Sequence, residues 1–470
     1  MARLEEETQS NPKVCTFPAP GCMRMGRVMS VLETTARSLV QRLRHAGFTA
    51  LYAGGCVRDM LLGIEPHDYD IATDARPEQV QQLFDRTFAV GAHFGVVVVH
   101  REGHDFQIAT FRSDGAYVDG RRPTAVTFSS PQTDAERRDF TVNGLFFDPV
   151  SNEVIDYVNG RADLAARRLR AIGDPVARFR EDRLRLLRAV RFGAVLGFEI
   201  DPPTWAAVCG HASDIHDVSA ERIREELVKI FLSPTRVRGF DLLVESGLMQ
   251  EVLPEIVHLK GCEQPPQFHP EGDVFVHTRA MLALLPEKVT VPLVFGVLFH
   301  DIGKPGTYTV DETGRIRFNG HDKLGAEMTE AVMTRLRFSR AEIDATVSAV
   351  ANHMVFKDVQ GMRVAKLKRF MAREGFDDEL ELHRVDCTSS HGMLDNYTFL
   401  KAKREEFANE PLIPEPLITG EHLKKLGLRP GPKFKEILEA VANRQLEGSL
   451  KTAEEALDWV KSEFAVDTAT

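Results

Sequence analysis

The chain has 470 residues, of which 43% are hydrophobic and 27% charged, and its formal net charge is −10. This length exceeds one compact core, so about two to four domains are expected, and the composition is that of a globular protein. The acidic balance argues against a general binder of polyanions, so any contact with RNA should come from local basic patches.

The six cysteines are scattered along the chain without a CxxC pair, which is typical of reduced thiols in a cytoplasm. No apolar run reaches the length of a transmembrane helix. The first residues are polar and acidic, unlike a signal peptide. We therefore expect a cytoplasmic protein with no membrane partner, and we predict that residues 1–27 form a flexible tail.

The first predicted elements surround a pair of aspartates. A helix over 28–46 is followed by a strand that ends at Gly54 and Gly55, by a short helix over 58–62 and by a strand over 68–72. Strand residues two apart point to the same side, so Asp68 and Asp70 would project into one small volume. Two adjacent carboxylates usually hold a cation, and oxygen ligands of this kind suit Mg²⁺ shared with substrate phosphates.

The two glycines upstream of the aspartates predict a phosphate site. Glycine lets the backbone approach a ligand closely, and the free N–H groups of a helix start attract phosphate. Taken separately, a GG pair is usually a turn and a DxD sequence a solvated loop. Their adjacency favours nucleotidyl transfer, in which metal activates the attacking hydroxyl and stabilises the leaving pyrophosphate.

The next segments complete an α+β unit. A helix opens at Pro77, two strands flank a turn at 102–104, and a polar stretch over 113–130 is predicted to be a mobile loop. The sequence RRDFTVN then places Arg138, Asp139 and Asn143 close together. Arginine can bind phosphate and aspartate can accept from a ribose hydroxyl. The alternative is a helix start with Asp139 as its cap.

From about Arg161 the hydrophobic period becomes helical, and residues 161–191 hold ten arginines against four acidic residues. If 181–191 is one helix, Glu181, Asp182 and Arg185 cluster on one face, and further arginines extend that side at Arg188 and Arg191. A carboxylate beside a guanidinium could recognise the Watson–Crick edge of a base without a template. The alternative is an exposed helix with internal salt bridges.

A Pro-rich connector over 262–272 leads into a helical block with many histidines. Imidazole and carboxylate ligands suit divalent transition metals, and one or two such ions would generate a hydroxide for phosphoester hydrolysis. A single buried histidine is more often a hydrogen-bonded core residue, but a His-Asp doublet at the end of an apolar helix favours a metal. The candidate ligands are His277, His300, Asp301, His321, His353 and Asp386; His269, in the connector, stays unassigned.

The predicted fold class is α+β with several domains. An N-terminal head with a mixed β-sheet and helices is expected over 28–160. It is followed by an all-α neck over 161–260, a helical metal domain over 261–395 and a helical tail over 396–470. Two basic segments, 357–373 and 423–434, are candidate RNA contacts, with solvated helix faces as the alternative.

Taken together, these segments resemble the class II tRNA nucleotidyltransferase/poly(A) polymerase family over roughly 39–253. The sequence GGCVRDMLLG with DYD is similar to the head motif of that family, RRDFTVNGLFFDP to its ribose-selecting motif, NGRADL to its hinge, EDRLR to its EDxxR base-pairing motif, and RIREELVKIF to the neck motif that supports it. Val142 and Gly144 stand where isoleucine and alanine are frequent, and neither carries chemistry. The histidine-rich block resembles an HD-type metal phosphohydrolase domain, which some members of the family carry.

The resemblance implies a role for each matching position. Asp68 and Asp70 would hold the catalytic Mg²⁺, and the triphosphate would be bound by Gly54, Gly55 and Arg58. Arg138 and Asp139, with Asn143 in the same motif, would contact the sugar and phosphates of the nucleotide. Asp182 and Arg185 would pair with the base of CTP or ATP, Glu181 would position Arg185, and Arg188 and Arg191 would meet phosphate or base.

The implied function is the addition of CMP and AMP to the 3′ end of tRNA, as maturation or repair of the CCA end. The 113–130 loop resembles an element linked to switching from C to A addition. The expected partners are tRNA, CTP and ATP, with no DNA. Two alternatives are a poly(A) polymerase that uses ATP and an HD-type phosphohydrolase whose head only binds nucleotide; a non-catalytic RNA-binding protein is disfavoured by the set of acidic residues.

Overall fold

The computed structural model describes residues 29–88, 95–114, 126–265 and 272–464. The predicted tail at 1–27, the interior of the 113–130 loop and His269 lie outside the described residues. The chain divides into two compact units, 1–218 and 219–470. This division falls inside the neck predicted for 161–260, and the finer domain boundaries stay predictions.

The first unit is built on one mixed sheet flanked by helices, followed by a helical segment. Its seven-stranded sheet has the order β3-β4-β5-β2-β1-β8-β9, with β2 and β5 parallel and the other neighbours antiparallel. The elements are α1 Val31–His45, β1 Ala50–Ala53, α2 Gly55–Leu61, β2 Ile71–Thr73, α3 Pro77–Leu83, β3 Thr87–Phe88, β4 Val96–Arg101, β5 His104–Thr110, β6 Arg112–Asp114, β7 Val126–Phe128, α4 Pro131–Glu136, a 3-10 turn Thr141–Asn143, β8 Leu145–Asp148, β9 Glu153–Asp156, α5 Gly160–Ala165, β10 Arg168–Leu169, α6 Pro175–Glu181, α7 Arg185–Val195, β11 Glu199–Ile200, α8 Pro202–Gly210 and a 3-10 turn Ala212–Asp217.

The β4–β5 hairpin confirms the turn predicted at 102–104. Glu102 and Gly103 both have positive φ angles, 52° and 76°, which is the conformation that a two-residue hairpin turn requires. Alternation along β4 buries Val97 and Val99 while their neighbours are more exposed. The hairpin therefore sets the register of β4 against β5, and β5 in turn pairs with β2.

Two predicted element boundaries are wrong. The strand expected over 68–72 begins only at Ile71, so Asp68 and Asp70 lie in the segment before β2, which has no regular secondary structure. The helix expected over 181–191 is interrupted at Asp182, whose φ and ψ are −143° and 103°. The side chain of Asp182 accepts from the backbone N of Leu184 at 3.2 Å, and aspartate favours such local bonds over helix continuation. Glu181 therefore ends α6, and α7 begins at Arg185.

The helix predicted to open at Pro77 begins there, whereas two further starts differ by about one turn. The first helix begins at Val31 rather than at residue 28, because the side chain of Ser30 caps it by accepting from the backbone N of Glu33 at 3.2 Å. The short helix α2 begins at Gly55 rather than at Arg58, directly after the glycine turn.

The described residues of the second unit are helical, as predicted, apart from one short hairpin that was not predicted. Its elements are α9 Ala220–Leu232, α10 Arg236–Glu245, α11 Leu248–Val252, α12 Pro254–Val257, α13 Val274–Leu284, α14 Val291–Phe299, α15 Lys304–Thr307, β12 Thr309–Val310, β13 Ile316–Arg317, α16 His321–Arg335, α17 Arg340–Asn352, a 3-10 segment His353–Gly361, α18 Val364–Met371, α19 Phe376–Ser389, α20 Asp395–Glu406, α21 Gly420–Lys425, α22 Pro432–Leu446 and α23 Ala453–Glu463. The apolar helix α14 is buried from Leu293 to Phe299 and delivers His300 at its end. Among the described helices, none combines the length and apolarity needed to cross a bilayer.

Candidate active site

The glycine turn after β1 brings the backbone against an arginine. Gly54 has a φ of +75°, and a Cβ atom at this position would lie 2.8 Å from Nη1 of Arg138. A larger residue at Gly54 would therefore be strained and would displace the guanidinium. The turn places the start of α2 beside the RRDFTVN segment, as the combined motifs predict.

The Asp68–Asp70 pair lies next to this turn. Asp68 is exposed and Asp70 is half-buried, and the backbone O of Asp70 accepts from the N of Ala53 at 3.0 Å. Burial and the charge of Asp68 raise the pKa of Asp70 to about 6, against the opposing charge of Arg138. The two carboxylates therefore act on each other, as two groups that share one cation do.

Asp134 holds the arginines of RRDFTVN and was missed from the sequence. Its Oδ2 accepts from Nε and Nη2 of Arg138 at 3.2 and 3.0 Å, and its Oδ1 accepts from Arg137 at 2.7 Å. Burial opposes ionisation, but the charges of Arg138 and Arg137 outweigh it and lower the pKa of Asp134. Arg137 and Arg138 follow Asp134 by three and four residues, directly after α4 ends, and this spacing of opposite charges was a usable signal in the sequence.

A largely buried polar chain joins four predicted nucleotide-binding residues. Nη1 of Arg58 donates to Oδ1 of Asn143 at 2.7 Å, and Nδ2 of Asn143 donates to Oδ1 of Asp139 at 3.1 Å. Oδ2 of Asp139 accepts from Nε and Nη2 of Arg188 at 2.8 and 2.6 Å. Burial opposes ionisation of Asp139, but the charge and hydrogen bonds of Arg188 prevail, and its pKa lies well below the usual range.

The EDRLR segment holds Arg185 in a fixed position. Its Nη1 donates to Oε2 of Glu181 at 2.7 Å and to the backbone O of Arg178 at 2.9 Å, while Nη2 donates to the backbone O of Arg137 at 2.9 Å. Arg178 also donates to Glu181, at 2.8 Å, a contact not predicted from the sequence. The break at Asp182 thus leaves the predicted Glu181–Arg185 pair in place.

The histidine-rich block of the second unit forms a buried cluster. Two sets of potential ligands share one carboxylate: His277, His300 and Asp301 form one, and Asp301, His321 and His353 form the other. Nε2 of His300 lies 3.0 Å from Oδ2 of Asp301, and Nε2 of His321 lies 3.5 Å from Oδ1. Asp386 contacts the cluster through His277, whose Nε2 lies 3.1 Å from Oδ1 of Asp386, and the Asp386 side chain is 26% exposed.

The protonation of two of these histidines fits a metal ligand set. Nδ1 of His321 and of His353 lies 2.7 and 2.6 Å from a backbone carbonyl, which can only accept, so Nδ1 carries the proton. Burial lowers the pKa of His321 and lowers that of His353 to about 4. Their Nε2 atoms, 3.1 Å apart, are therefore two facing acceptors, an arrangement that a cation relieves.

Asp301 supplies the negative charge of the cluster. Burial opposes its ionisation, but His300 and Lys304 outweigh burial and hold the pKa of Asp301 well below the usual range. Nζ of Lys304 lies 2.6 Å from Oδ2 of Asp301 and donates to Oε1 of Gln264 at 2.6 Å. Neither Lys304 nor Gln264 was predicted. Imidazoles around an ionised carboxylate fit a divalent cation.

Comparison with known proteins supports both parts of this description. A family model described as the poly A polymerase head domain matches residues 50–170, a second, described as a probable RNA and SrmB-binding site of polymerase A, matches 197–259, and an HD domain model matches 274–384. A CCA-adding enzyme of Levilactobacillus brevis is 32% identical over 425 residues, which cover 90% of this chain and 96% of the relative. One of Lactobacillus gasseri is 41% identical over 220 residues, covering 47% of this chain and 55% of the relative.

Solved structures show the same fold. The Bacillus stearothermophilus CCA-adding enzyme in complex with CTP has a TM-score of 0.69 and 25% identity, and the match covers 93% of this chain and 98% of that one. The Thermotoga maritima CCA-adding enzyme complexed with tRNA has a TM-score of 0.59 and 19% identity, over 93% of this chain and 97% of that one.

Proposed function

We propose, because this chain belongs to the class II tRNA nucleotidyltransferase/poly(A) polymerase family and carries an HD domain, that it transfers CMP and AMP from CTP and ATP to the 3′ end of tRNA. The observation that carries this proposal is the placement of the glycine turn, since a Cβ atom at Gly54 would lie 2.8 Å from Nη1 of Arg138 and the adjacent Ala53 donates its backbone N–H to the O of Asp70 at 3.0 Å. A carboxylate pair for a cation and a guanidinium for a phosphate thus meet in one place.

In the proposed reaction the 3′-hydroxyl oxygen of tRNA attacks the α-phosphate, a new phosphodiester bond forms, and pyrophosphate leaves. Mg²⁺ bound by Asp68 and Asp70 would supply activation of that hydroxyl and charge neutralisation on the leaving group. Gly54 and Gly55 let the backbone approach the phosphates, and Arg58 and Arg138 provide positive charge.

Base selection is assigned to Asp182 and Arg185. A carboxylate accepts from the exocyclic amino group that cytosine and adenine share, and a guanidinium donates to the ring nitrogen beside it. Guanine and uracil present a carbonyl where that amino group stands, so the same pair disfavours them. Three hydrogen-bonded anchors fix Arg185, which supports a preorganised recognition surface.

Two parallel reactions, one with CTP and ATP and one with ATP alone, distinguish this proposal from a poly(A) polymerase. A tRNA transcript that lacks CCA is supplied with CTP and ATP, and the product is sized. A CCA-adding enzyme extends it by three nucleotides and stops, and it adds no long tail when ATP is the only nucleotide. A long ATP-dependent tail would assign the poly(A) alternative.

The buried cluster supports a second activity, metal-dependent hydrolysis of phosphoesters. His277, His300, Asp301, His321 and His353 would hold one or two divalent transition metal ions, with Asp386 attached through His277. Such an ion supplies a hydroxide at neutral pH. Hydrolysis of 2′,3′-cyclic or monoester phosphates should persist when Asp68 and Asp70 are replaced, and its loss in that variant would contradict a separate site.

We retain the expectation that the protein acts in a cytoplasm. Four cysteines of the described residues are free thiols, Cys56, Cys209, Cys262 and Cys387. Three of them are buried, which suits thiols that remain reduced.

A further inference from the structure

Phe192, on α7, lies at the meeting point of three guanidinium groups. The Cζ atoms of Arg58 and Arg188 each lie 5.2 Å from the centre of its ring, and that of Arg191 lies 3.9 Å from it. The ring is 6% exposed. We call these four residues the Phe192 cluster.

The ring is fixed independently of the arginines. Phe140, from the RRDFTVN segment, meets it edge-on, with ring centres 5.8 Å apart and planes at 77°. Phe140 is fully buried. Phe192 is therefore anchored in the core on one side and faces the arginines from a fixed place.

The cluster joins the two halves of the nucleotide site. Arg58 belongs to α2, which follows the glycine turn, whereas Arg188 and Arg191 belong to α7, which starts at the base-recognition residue Arg185. The hydrogen-bonded chain through Asn143 and Asp139 runs between the same two helices. Phe192 thus touches both ends of this chain.

The charges of the cluster fit a polyanion. Three guanidinium groups around one ring repel each other. Asp139 pairs with Arg188 at 2.6 Å and Asp59 pairs with Arg58 at 2.7 Å, so the three guanidinium groups outnumber these two carboxylates. The negative face of an aromatic ring attracts each cation within about 6 Å. It therefore holds like charges together where a triphosphate can meet them.

We propose that Phe192 is a positioning residue for nucleotide addition, which orients Arg58, Arg188 and Arg191 toward the triphosphate and fixes the distance between the phosphate and base subsites. This inference rests on the proposed function. If the inference is correct, replacing Phe192 weakens nucleotide binding, whereas replacing an equally buried phenylalanine outside the cluster lowers only the stability.

The test compares Phe192→Leu with Phe192→Tyr and with Phe198→Leu. Leucine keeps an apolar side chain but has no aromatic ring, whereas tyrosine keeps the ring and its π face. Phe198 is a matched control, since it is 1% exposed in the same unit and carries the guanidinium of Arg167, which lies outside the cluster, at 5.8 Å. For each variant we would measure KM and kcat for CTP and ATP on tRNA lacking CCA, CTP binding by calorimetry, and Tm.

Phe192→Leu should raise KM for both nucleotides and weaken CTP binding about tenfold or more, and Phe192→Tyr should restore both to within about threefold of the wild type. Phe198→Leu should lower Tm comparably with unchanged KM. If Phe192→Leu does not fold, Phe192→Met carries the same expectation. Unchanged KM in Phe192→Leu, or an equal rise in Phe198→Leu, would overturn the inference, while a wild-type protein that incorporates no nucleotide would overturn the proposed function instead.

Discussion

Nη1 of Arg185 donates to Oε2 of Glu181 at 2.7 Å across the break between α6 and α7. Arg185 is 8% exposed, and Glu181 also accepts from Arg178. Because its contact with Glu181 already orders the side chain of Arg185, that side chain loses little conformational entropy when a base binds. We therefore propose that this contact contributes to the distinction between nucleotides.

Replacing Glu181 with alanine should lower discrimination between correct and incorrect nucleotides about tenfold, because the lost hydrogen bond joins two charged groups. The measurement is the ratio of kcat/KM for CTP and ATP on tRNAs ending before the first C and after CC. Asp217→Ala, which removes the partner of Arg183 at 3.0 Å, is the control and should keep the wild-type ratio. A Glu181→Ala ratio equal to that of the control would refute the positioning role.

Replacing Asp182 with alanine should affect base choice more than triphosphate binding. The carboxylate at the helix break is the proposed acceptor for the exocyclic amino group, and such a contact contributes about 1–3 kcal/mol to discrimination. The affinity for pyrophosphate, which has no base, should stay within about twofold of the wild type. Asp174→Ala, which removes the cap that accepts from Ala177 at 3.1 Å, should cost about 1 kcal/mol of stability and leave base choice intact. Loss of pyrophosphate affinity in Asp182→Ala would contradict the assignment.

The raised pKa of Asp70 predicts a dependence of stability on pH. Burial and Asp68 raise this pKa from 3.8 to about 6, so the folded state binds more protons than the unfolded state between these values. Stability without divalent cations should therefore fall as the pH rises through this window. Asp70→Asn should be more stable than the wild type by about 1–3 kcal/mol at pH 7.5 and about equal to it at pH 4.

The readout for Asp70 is the free energy of unfolding with a chelator, compared with the exposed control Asp85→Asn, which should follow the wild type. Adding Mg²⁺ should stabilise the wild type and leave Asp70→Asn unchanged. A wild-type stability that rises between pH 4 and 6 relative to Asp70→Asn would contradict the raised pKa that burial and Asp68 give to Asp70.

Asp301→Asn should remove bound transition metal from the protein, because Asp301 is shared by both ligand sets and an amide is a much weaker ligand. Metal content is measured by elemental analysis after loading and desalting. His258→Gln, at an exposed histidine, should retain wild-type metal content. Nucleotide incorporation should be retained in Asp301→Asn, and full metal content in that variant would show that the ion binds elsewhere.

Elements that depend on a local sequence pattern, such as turns and apolar helices, were predictable from the sequence. The hairpin turn at 102–104 and the apolar helix that ends at His300 were both confirmed. The break at Asp182 was not predicted, because the helical spacing of 181–191 continues through it and only the local bond to Leu184 opposes it. The start of β2 was missed for a similar reason, since DYDIA fits a strand in pattern, but the residue pairs between β1 and β2 begin at Ile71 and only one backbone hydrogen bond, from Ala53 to Asp70, extends beyond them.

Apart from Asp134, whose spacing from Arg137 and Arg138 was a signal, the missed site residues depend on contacts that sequence spacing does not reveal. Lys304 and Gln264 meet from positions 40 residues apart, and Phe192 joins arginines of two separate helices. Such partners are fixed by tertiary packing, whereas each motif residue could be proposed from its own chemistry. The roles of Asp68, Asp70 and the predicted ligands stay predictions until they are measured.

The most direct measurement is incorporation of labelled CTP and ATP, with Mg²⁺, into tRNAs ending before C, after C and after CC, by the wild type and by Asp70→Ala. The wild type should add C to the first two ends and A to the third, and Asp70→Ala should add neither while binding tRNA with nearly unchanged affinity. Wild-type rates of incorporation by Asp70→Ala would contradict the assignment of catalysis to this carboxylate pair.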